Sequence, residues 1–134
     1  MKIAVVILNW NGRALLEQFL PSVVQNSPEA IIYVADNASE DDSVEYIKNS
    51  FPQVKIIQNK VNGGFAKGYN DALAHLEEDI FVLLNSDVEV TPNWLPPLIS
   101  EFEKTGLSQN RPPVMKRSDN YNITVKGTYY SCIM

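Results

Sequence analysis

One stretch decides the fold: Ile80-Phe81-Val82-Leu83-Leu84-Asn85-Ser86-Asp87. Its five consecutive apolar residues predict a strand buried on both faces, as in a parallel sheet covered by helices. The strand ends at an amide, a hydroxyl and a carboxylate. In open α/β sheets, ligands bind in the crevice outside the carboxyl ends of the strands. Asp87 is therefore predicted to hold a divalent cation, which would in turn hold a diphosphate.

Strand and helix patterns alternate from the amino terminus to about residue 105. Apolar runs predict strands at residues 3–8, 31–34, 54–57 and 80–84. Helical spacing of apolar residues predicts helices at residues 15–24, 44–51, 65–76 and 91–102. Pro21 is expected to kink or divide the first helix, and the fourth is expected to restart at Pro96. This order predicts an α/β fold, with a mostly parallel, Rossmann-like sheet and helices on both faces.

Composition excludes several classes of function. The 134 residues are 45% hydrophobic and 20% charged, as in an ordinary globular protein. The 16 acidic and 11 basic side chains give a net charge of −5, which argues against nonspecific nucleic-acid binding. No stretch approaches the roughly 20 apolar residues of a membrane span. Cys132 is the only cysteine, which excludes an internal disulfide and predicts a reducing, cytoplasmic compartment.

Polar clusters follow all four predicted strands, and a core would not require their mixture of amides, carboxylates and glycines. The clusters lie at residues 9–12, 36–39, 62–71 and 85–87. Because the carboxyl ends of parallel strands meet at one edge of a sheet, we expect these clusters to surround one ligand.

The residue types in these clusters suit a nucleotide. Asp36 can accept hydrogen bonds from a base or ribose, and Trp10 offers a flat apolar face for a base. Gly63 and Gly64 allow close approach of the backbone to a bulky ligand. Lys67 lies in the first turn of the following helix and could neutralise phosphate charge, together with the helix amino terminus.

Structural roles remain open for the same residues. Asp36 could cap the turn that follows it, with Ser39 capping the next helix. Trp10 could be an edge residue of the core. Lys67 could be a solvated helix charge, and the acids at 41 and 42 could act only on a helix amino terminus.

Four stretches together resemble family 2 glycosyltransferases, and most nearly their bacterial rhamnosyltransferase-type branch. The stretches are Val6-Ile7-Leu8-Asn9-Trp10-Asn11-Gly12, Val34-Ala35-Asp36-Asn37-Ala38-Ser39, Asn62-Gly63-Gly64-Phe65-Ala66-Lys67-Gly68-Tyr69-Asn70 and Leu83-Leu84-Asn85-Ser86-Asp87. They occur in the order of the family, and the resemblance covers roughly residues 1–105. It implies the GT-A fold, a nucleotide-diphospho-sugar donor, Mg or Mn, and inversion at the anomeric carbon.

The resemblance also implies roles for individual residues. The residues implied to line the nucleoside pocket are Leu8, Asn9, Trp10 and Asp36. Gly64, Lys67 and Ser86 are predicted to contact the rest of the nucleotide. Asn85-Ser86-Asp87 stands where the family has an Asp-any-Asp motif, and its first residue is Asn, so metal ligation is assigned to Asp87.

The family pattern stops near residue 106. Residues 1–106 are predicted to be a partial, nucleotide-sugar-binding GT-A domain, and residues 107–134 an irregular tail from a truncated or frame-shifted end. Short strands are predicted at 123–125 and 128–130. In the family the missing half carries the acceptor site and the carboxylate that deprotonates the acceptor hydroxyl, so the general base is unassigned.

Two functions follow from these observations. The first is metal-dependent, inverting transfer of a sugar from a dTDP-, UDP- or GDP-linked donor to a glycan acceptor, in polysaccharide biosynthesis for the cell envelope. The enzyme would be cytoplasmic or peripheral at the inner face of the membrane. The alternative is a noncatalytic remnant that binds a nucleotide-sugar or a partner protein. Loss of the second half would leave the fourth strand open at one edge, which predicts a homo-oligomer through that edge.

Overall fold

The computed structural model describes residues 1–104 and a strand at 122–125, and it confirms the alternation of strands and helices. The strands are β1 (Ile3–Asn9), β2 (Ile31–Asp36), β3 (Lys55–Gln58), β4 (Ile80–Leu84) and β5 (Asn122–Val125). The helices are α1 (Arg13–Asn26), α2 (Ser43–Ser50), α3 (Phe65–Leu73) and α4 (Leu95–Lys104). No helix within these described ranges is both long and apolar enough to cross a membrane.

The strands form one sheet in the order β3-β2-β1-β4-β5. The pairs β3-β2, β2-β1 and β1-β4 are parallel, so the predicted α/β class and mostly parallel sheet are confirmed. The chain passes from β1 to β2 and β3 on one side, then crosses to β4 on the other side of β1. The strand order thus reverses beside β1, where doubly wound sheets bind their ligands.

Helices cover both faces of the sheet, as the sequence predicted. Alternate residues of the strands face opposite ways, so each strand contributes to two separate cores. The first core, on the side of α1, α2 and α4, includes Val5, Ile7, Leu16, Leu20, Val34, Ile47, Val82 and Leu95. The second, on the side of α3, includes Ala4, Val6, Tyr33, Ala35, Tyr69, Ala72, Leu73 and Phe81.

Pro21 lies inside a continuous helix, and Pro96 lies at the start of one. Helix α1 is continuous through Pro21, which is exposed while Leu16, Leu20 and Val23 bury the opposite face. The prediction that Pro21 divides the helix is therefore wrong. Helix α4 begins at Leu95, so Pro96 lies in its first turn, where a missing N–H removes no hydrogen bond.

Strand β5 changes one prediction about partners. It pairs antiparallel with β4, from Ile80 opposite Val125 to Leu83 opposite Asn122. The outer edge of β4 is therefore covered, so the expected open edge at β4 is wrong, while a homo-oligomer as such stays a prediction. The strand predicted at 123–125 is confirmed. The strand predicted at 128–130, and the rest of the proposed tail, lie outside the described residues, so the division at residue 106 stays a prediction.

Candidate functional site

The predicted clusters meet at the carboxyl edge of the sheet. Asn9 is the last residue of β1, Asp36 is the last residue of β2, and the two are register partners in the parallel ladder. On the other side of β1, Asn85 directly follows β4. The crevice at the reversal of strand order therefore has a β1–β2 wall and a β4 wall, and we call this region the rim.

A buried network joins the ends of β1 and β2. Asn9 Nδ2 donates to Asp36 Oδ1 at 3.0 Å and to Ser39 Oγ at 3.2 Å. Asp36 Oδ2 accepts from the Ser39 amide at 3.0 Å. Asp36 is only 2% exposed, and both of its oxygens have a protein donor. The turn-capping role considered for Asp36 is therefore present, and its contact with a nucleoside stays a prediction.

Ser39 does not cap helix α2, contrary to expectation. The helix begins at Ser43 and is preceded by Asp42. Instead, Ser39 Oγ accepts from the Asn11 amide at 2.9 Å, while Asn11 Oδ1 accepts from the Glu40 amide at 2.8 Å. Ser39 was misassigned because its partners lie in the loop after β1, some thirty residues away in sequence. These bonds lock the loops after β1 and β2 together.

Trp10 stands exposed on this interlocked loop. It is 59% exposed, so the alternative that it is an edge residue of the core is wrong. Asn11 follows it with φ of 49°, a left-handed conformation that Asn tolerates better than most residues. Leu8, two residues before Trp10, is half-buried on the α3 side of the sheet. The indole is thus available for stacking, and the predicted nucleoside contacts of Leu8 and Trp10 remain predictions.

Three asparagines hold the loop between β3 and α3 against the end of β2. Asn37 Nδ2 donates to Asn62 Oδ1 at 2.8 Å and to the Gly64 carbonyl at 3.3 Å. Asn59 Nδ2 donates to Asn37 Oδ1 at 3.1 Å and to the Gly68 carbonyl at 3.0 Å. Asn37 is buried, and a side chain at position 68 would meet it at 3.0 Å. The sequence placed Asn37 and Asn62 in predicted ligand clusters and gave no sign of this network, whose members come from different loops.

Gly64 and Lys67 lie at the exposed start of α3. Gly64 has φ of 86°, precedes the first helical residue, and has open space where a Cβ would be. Lys67 covers Gly63, since a Cβ there would lie 2.4 Å from Lys67 Cδ. The Lys67 ammonium forms an ion pair with Asp71, one turn along the helix. A phosphate would therefore compete with Asp71 for Lys67, and the predicted contact is untested.

The segment after β4 is fixed on both sides of Asp87. Asn85 and Ser86 are half-buried, and Asp87 is exposed. The buried residue Val90 is held by α1: its amide donates to Ser22 Oγ at 3.2 Å, and its carbonyl accepts from Asn26 Nδ2 at 3.0 Å. These contacts anchor the segment that carries Asp87 to α1, and a position of the carboxylate facing the crevice stays a prediction.

The donor set at the rim fits a cation that the substrate helps to hold. Within the described part of the chain, no three His, Cys, Asp or Glu side chains converge to form a complete metal site. Mg²⁺ in nucleotide sites is commonly held by one or two carboxylates, with phosphate and water oxygens filling the remaining positions. The exposed Asp87 carboxylate fits that incomplete pattern, and its role as a ligand stays a prediction.

Asp41 occupies the amino ends of α1 and α2 together. Its Oδ2 accepts from the Arg13 amide at 3.1 Å, and its Oδ1 accepts from the amide of Ser43 at 3.0 Å and from the Ser43 hydroxyl. Burial acts to raise the pKa of Asp41, but these hydrogen bonds outweigh it and hold the pKa below its ordinary value. The carboxylate therefore satisfies two helix ends. The sequence predicted only a charge effect of the acids at 41 and 42 on a helix amino terminus, and the double cap goes beyond it.

The chain matches the model of glycosyl transferase family 2 over residues 4–130, which extends past residue 106, where the family resemblance was expected to stop. An uncharacterised glycosyltransferase of Haemophilus influenzae is 24% identical over 136 residues, which cover 98% of this chain. N-acetylgalactosaminyltransferase 7 of Drosophila melanogaster is 23% identical over 135 residues, which cover 93% of this chain. The chain spans 38% and 22% of the lengths of these two curated relatives.

Solved structures agree with the fold. The match to S. aureus TarS 1-349 has a TM-score of 0.68 and 18% identity, and covers 89% of this chain and 40% of that chain. The match to mannosyltransferase PcManGT from Pyrobaculum calidifontis, in complex with GDP-Man and Mn²⁺, has a TM-score of 0.59 and 21% identity. It covers 66% of this chain and 28% of that chain. The match to GalNAc-T7 with UDP, GalNAc and Mn²⁺ has a TM-score of 0.66 and 26% identity, and covers 77% of this chain and 21% of that chain. The GT-A fold implied by the sequence is confirmed. Because the family model matches most of its length, the chain belongs to glycosyl transferase family 2.

Proposed function

We propose that this chain binds a nucleotide-diphospho-sugar at the rim and serves metal-dependent, inverting transfer of that sugar. One observation carries the proposal: the exposed carboxylate of Asp87 lies just beyond β4, across the reversal of strand order from the buried Asn9–Asp36 pair. A nucleotide that spans the crevice would reach the nucleoside wall with one end and the cation with the other.

The nucleoside would lie on the β1–β2 wall. Trp10 is exposed enough to stack on a base, and such a contact needs no particular base. Asp36 retains lone pairs for a base or ribose donor, since a carboxylate has about four acceptor positions and two protein donors occupy it here. Asn9 would orient Asp36, and Leu8 would form the apolar side of the pocket.

The diphosphate would lie between β4 and the start of α3. Asp87 would hold a Mg or Mn ion, with Ser86 beside it. The bound cation would neutralise negative charge on the diphosphate as it leaves. The amino end of α3 has no side-chain cap, whereas Asp41 occupies the ends of α1 and α2. Gly64 leaves that end open and Lys67 adds a positive charge, so α3 is the better-suited phosphate site.

The proposed reaction forms one bond and breaks one. A hydroxyl oxygen of a glycan acceptor attacks the anomeric carbon on the face opposite the diphosphate, and the carbon–oxygen bond to the diphosphate breaks. The hydroxyl proton must pass to a base, and no residue of this chain is assigned that role. The chain covers 38% or less of the curated relatives' lengths, so sugar transfer is proposed for the whole protein.

Donor and setting extend the same proposal. A dTDP-, UDP- or GDP-linked sugar is proposed, supported by solved structures whose ligands are GDP-Man, UDP-GlcNAc and UDP. The resemblance to the rhamnosyltransferase-type branch is the support for proposing polysaccharide synthesis for the cell envelope. A cytoplasmic protein, peripheral at the inner face of the membrane, would meet both donor and acceptor there.

Calorimetry with and without Mn²⁺ tests the site. UDP, GDP and dTDP are titrated into the wild-type chain, Asp87→Ala and Glu89→Ala. Glu89 is the matched control, because it is an exposed acid two residues from Asp87. We expect metal-dependent binding of at least one nucleotide, lost in Asp87→Ala and retained in Glu89→Ala. Equal binding by all three proteins would refute the assignment of Asp87.

A donor-hydrolysis assay then separates the two functions predicted from sequence. Release of free sugar from a bound donor, dependent on Mn²⁺ and Asp87, supports a catalytic site. Tight metal-dependent binding without hydrolysis favours the noncatalytic remnant. Absence of any nucleotide binding by the wild-type chain contradicts the catalytic site and the nucleotide-binding remnant, and leaves only a remnant that binds a partner protein.

A further inference from the structure

A tyrosine hydroxyl joins the two walls of the crevice. Tyr69 Oη donates to the Leu84 carbonyl at 3.0 Å and accepts a long hydrogen bond from the Leu8 amide at 3.4 Å. Leu84 is the last residue of β4, and Leu8 lies one residue beyond the last register pair of β1 with β4. The hydroxyl therefore bridges the strands where their pairing ends.

The bridged atoms lie next to the proposed ligand contacts. Leu8 directly precedes Asn9 and Trp10 on the β1–β2 wall, where the nucleoside is proposed to bind and which we call the nucleoside wall. Leu84 lies three residues before Asp87 on the β4 wall, where the cation is proposed to bind and which we call the cation wall. Any change in the spacing of the two backbones at this point moves both walls relative to each other. A nucleoside diphosphate held at both ends by preformed contacts is bound best at one spacing of the walls, because a different spacing must be met by rotating its ribose–diphosphate torsions or by losing a contact.

Tyr69 is held firmly enough to set that spacing. It is 3% exposed, and its ring lies in the core on the α3 side of the sheet. Phe65, one turn earlier on α3, packs edge-on against the ring with centroids 5.0 Å apart. Gly68 brings the helix close to β1, since a Cβ at position 68 would lie 3.0 Å from Leu8 Cδ1.

We propose that Tyr69 is a positioning residue that fixes the separation of the nucleoside wall from the cation wall, and so couples nucleotide binding to cation binding. This role rests on the proposed function of the rim. The hydroxyl touches neither nucleotide nor cation; it acts through the backbones of Leu8 and Leu84.

Tyr69→Phe removes one oxygen and keeps the ring, and Tyr33→Phe is the matched control. Tyr33 is also buried on the α3 side, and its hydroxyl donates to Glu78 Oε1 at 2.8 Å, near the opposite end of the sheet. Burial raises the pKa of both phenols, that of Tyr33 to about 12, so both are neutral hydroxyl groups at pH 7. Each substitution removes one buried hydrogen-bonding hydroxyl, and we expect comparable losses of unfolding free energy.

The two variants should differ in ligand binding. With Mn²⁺ present, we expect Tyr69→Phe to weaken binding of the nucleoside diphosphate about tenfold. A tenfold change in affinity corresponds to the free energy of about one hydrogen bond, which is what the substitution removes from the bridge. Without Mn²⁺ the loss should be smaller, because the nucleotide then contacts one wall only. Tyr33→Phe should bind within about twofold of the wild type under both conditions.

Amide exchange followed by NMR reads the bridge without any ligand. Protection of the Leu8 amide should fall in Tyr69→Phe and not in Tyr33→Phe; unchanged protection in both would overturn the bridge. Normal Mn²⁺-dependent affinity in Tyr69→Phe, or an equal loss in Tyr33→Phe, would overturn the positioning role alone. A wild-type chain that binds no nucleoside diphosphate would overturn the proposed function and this role together.

Discussion

The Asn9 side chain donates a 3.0 Å hydrogen bond to the Asp36 carboxylate, and both residues are almost fully buried where β1 and β2 end. A buried carboxylate is costly unless donors surround it. Here the donors are the Asn9 amide and the Ser39 backbone N–H. The pair forms the base of the β1–β2 wall, where the nucleoside is proposed to bind, so its integrity should govern folding and, under that proposal, binding.

Replacing the donor by an acid should make folding depend on pH. In Asn9→Asp a second carboxyl group lies about 3 Å from Asp36, and one of the two must keep a proton to remain buried. The pKa of the carboxyl group that keeps the proton is higher in the folded variant than in the unfolded one. The stability of the variant is therefore greatest below the unfolded pKa and is lost as pH rises through the folded pKa. We expect a loss of about 3 kcal/mol at pH 7 and a smaller loss at pH 4, measured by urea unfolding.

Asn11→Asp is the control for this substitution. Asn11 is exposed, and its side-chain oxygen accepts from the Glu40 amide, a bond that a carboxylate can keep. The free energy of unfolding of Asn11→Asp should stay within about 0.5 kcal/mol of that of the wild type at pH 4 and at pH 7. A deficit in Asn9→Asp that is equal at pH 4 and pH 7 would contradict the shared proton.

Two glycines of the rim should respond differently to alanine. A Cβ at position 12 would lie 2.5 Å from Asn9 Oδ1, so Gly12→Ala must displace the side chain that holds Asp36. Gly64→Ala meets no atom within 4 Å and suffers only from its φ of 86°. We expect losses of about 2–3 kcal/mol for Gly12→Ala and about 1 kcal/mol for Gly64→Ala in chemical unfolding. The reverse order would show that Asn9 moves aside freely.

Removal of the double cap should destabilise the protein above the pKa of its carboxylate. Asp41→Ala leaves the first amides of α1 and α2 without their acceptor, a loss of about 1–2 kcal/mol at pH 7. The folded pKa of Asp41 is lowered, so its charge contributes stability above the unfolded value of 3.8, and that contribution is lost as pH falls through the folded pKa. The difference from the wild type should therefore shrink in acid.

Asp42→Ala tests whether the effect belongs to capping or to charge alone. Asp42 is exposed and reaches Arg13 Nε only at 3.5 Å. We expect its loss to cost less than about 0.5 kcal/mol, since exposed ion pairs contribute little. Equal losses at 41 and 42 would refute the capping role.

Relief of backbone strain should stabilise the loop after β2. Ala38 has φ of 61°, a left-handed conformation that costs an L-residue about 1–2 kcal/mol. Glycine adopts it freely but gives up about 0.5–1 kcal/mol of chain entropy, so Ala38→Gly should stabilise by about 0.5 kcal/mol. Ala14→Gly, on the exposed face of α1, should destabilise by about 1 kcal/mol in the same thermal scans. Like signs for the two would contradict the strain.

The sequence revealed the framework because it depends on local pattern. The Ser39 cap was predicted wrongly, because an N-cap signal is local while the Ser39 hydroxyl is used by Asn9 and Asn11 from another loop. Local sequence pattern does not show which donors, distant in sequence, form hydrogen bonds with a given hydroxyl.

The same limit applied to the fine structure of the site. Helical spacing placed Tyr69 on the inner face of α3, but nothing in the spacing shows that its hydroxyl reaches between β1 and β4. No sequence pattern indicated that Asn59 Nδ2 donates to Asn37 Oδ1 across two loops. Such contacts depend on the packing of several elements and become visible only in three dimensions.

The contact at position 12 has an evolutionary consequence. Because an oxygen of residue 9 occupies the volume that a methyl group at residue 12 would need, the two positions cannot vary independently. Among homologous sequences, larger residues at 12 should appear only alongside a shorter residue at 9, and a double substitution should restore what either single one removes. Drift in this loop is thus expected to proceed by paired changes.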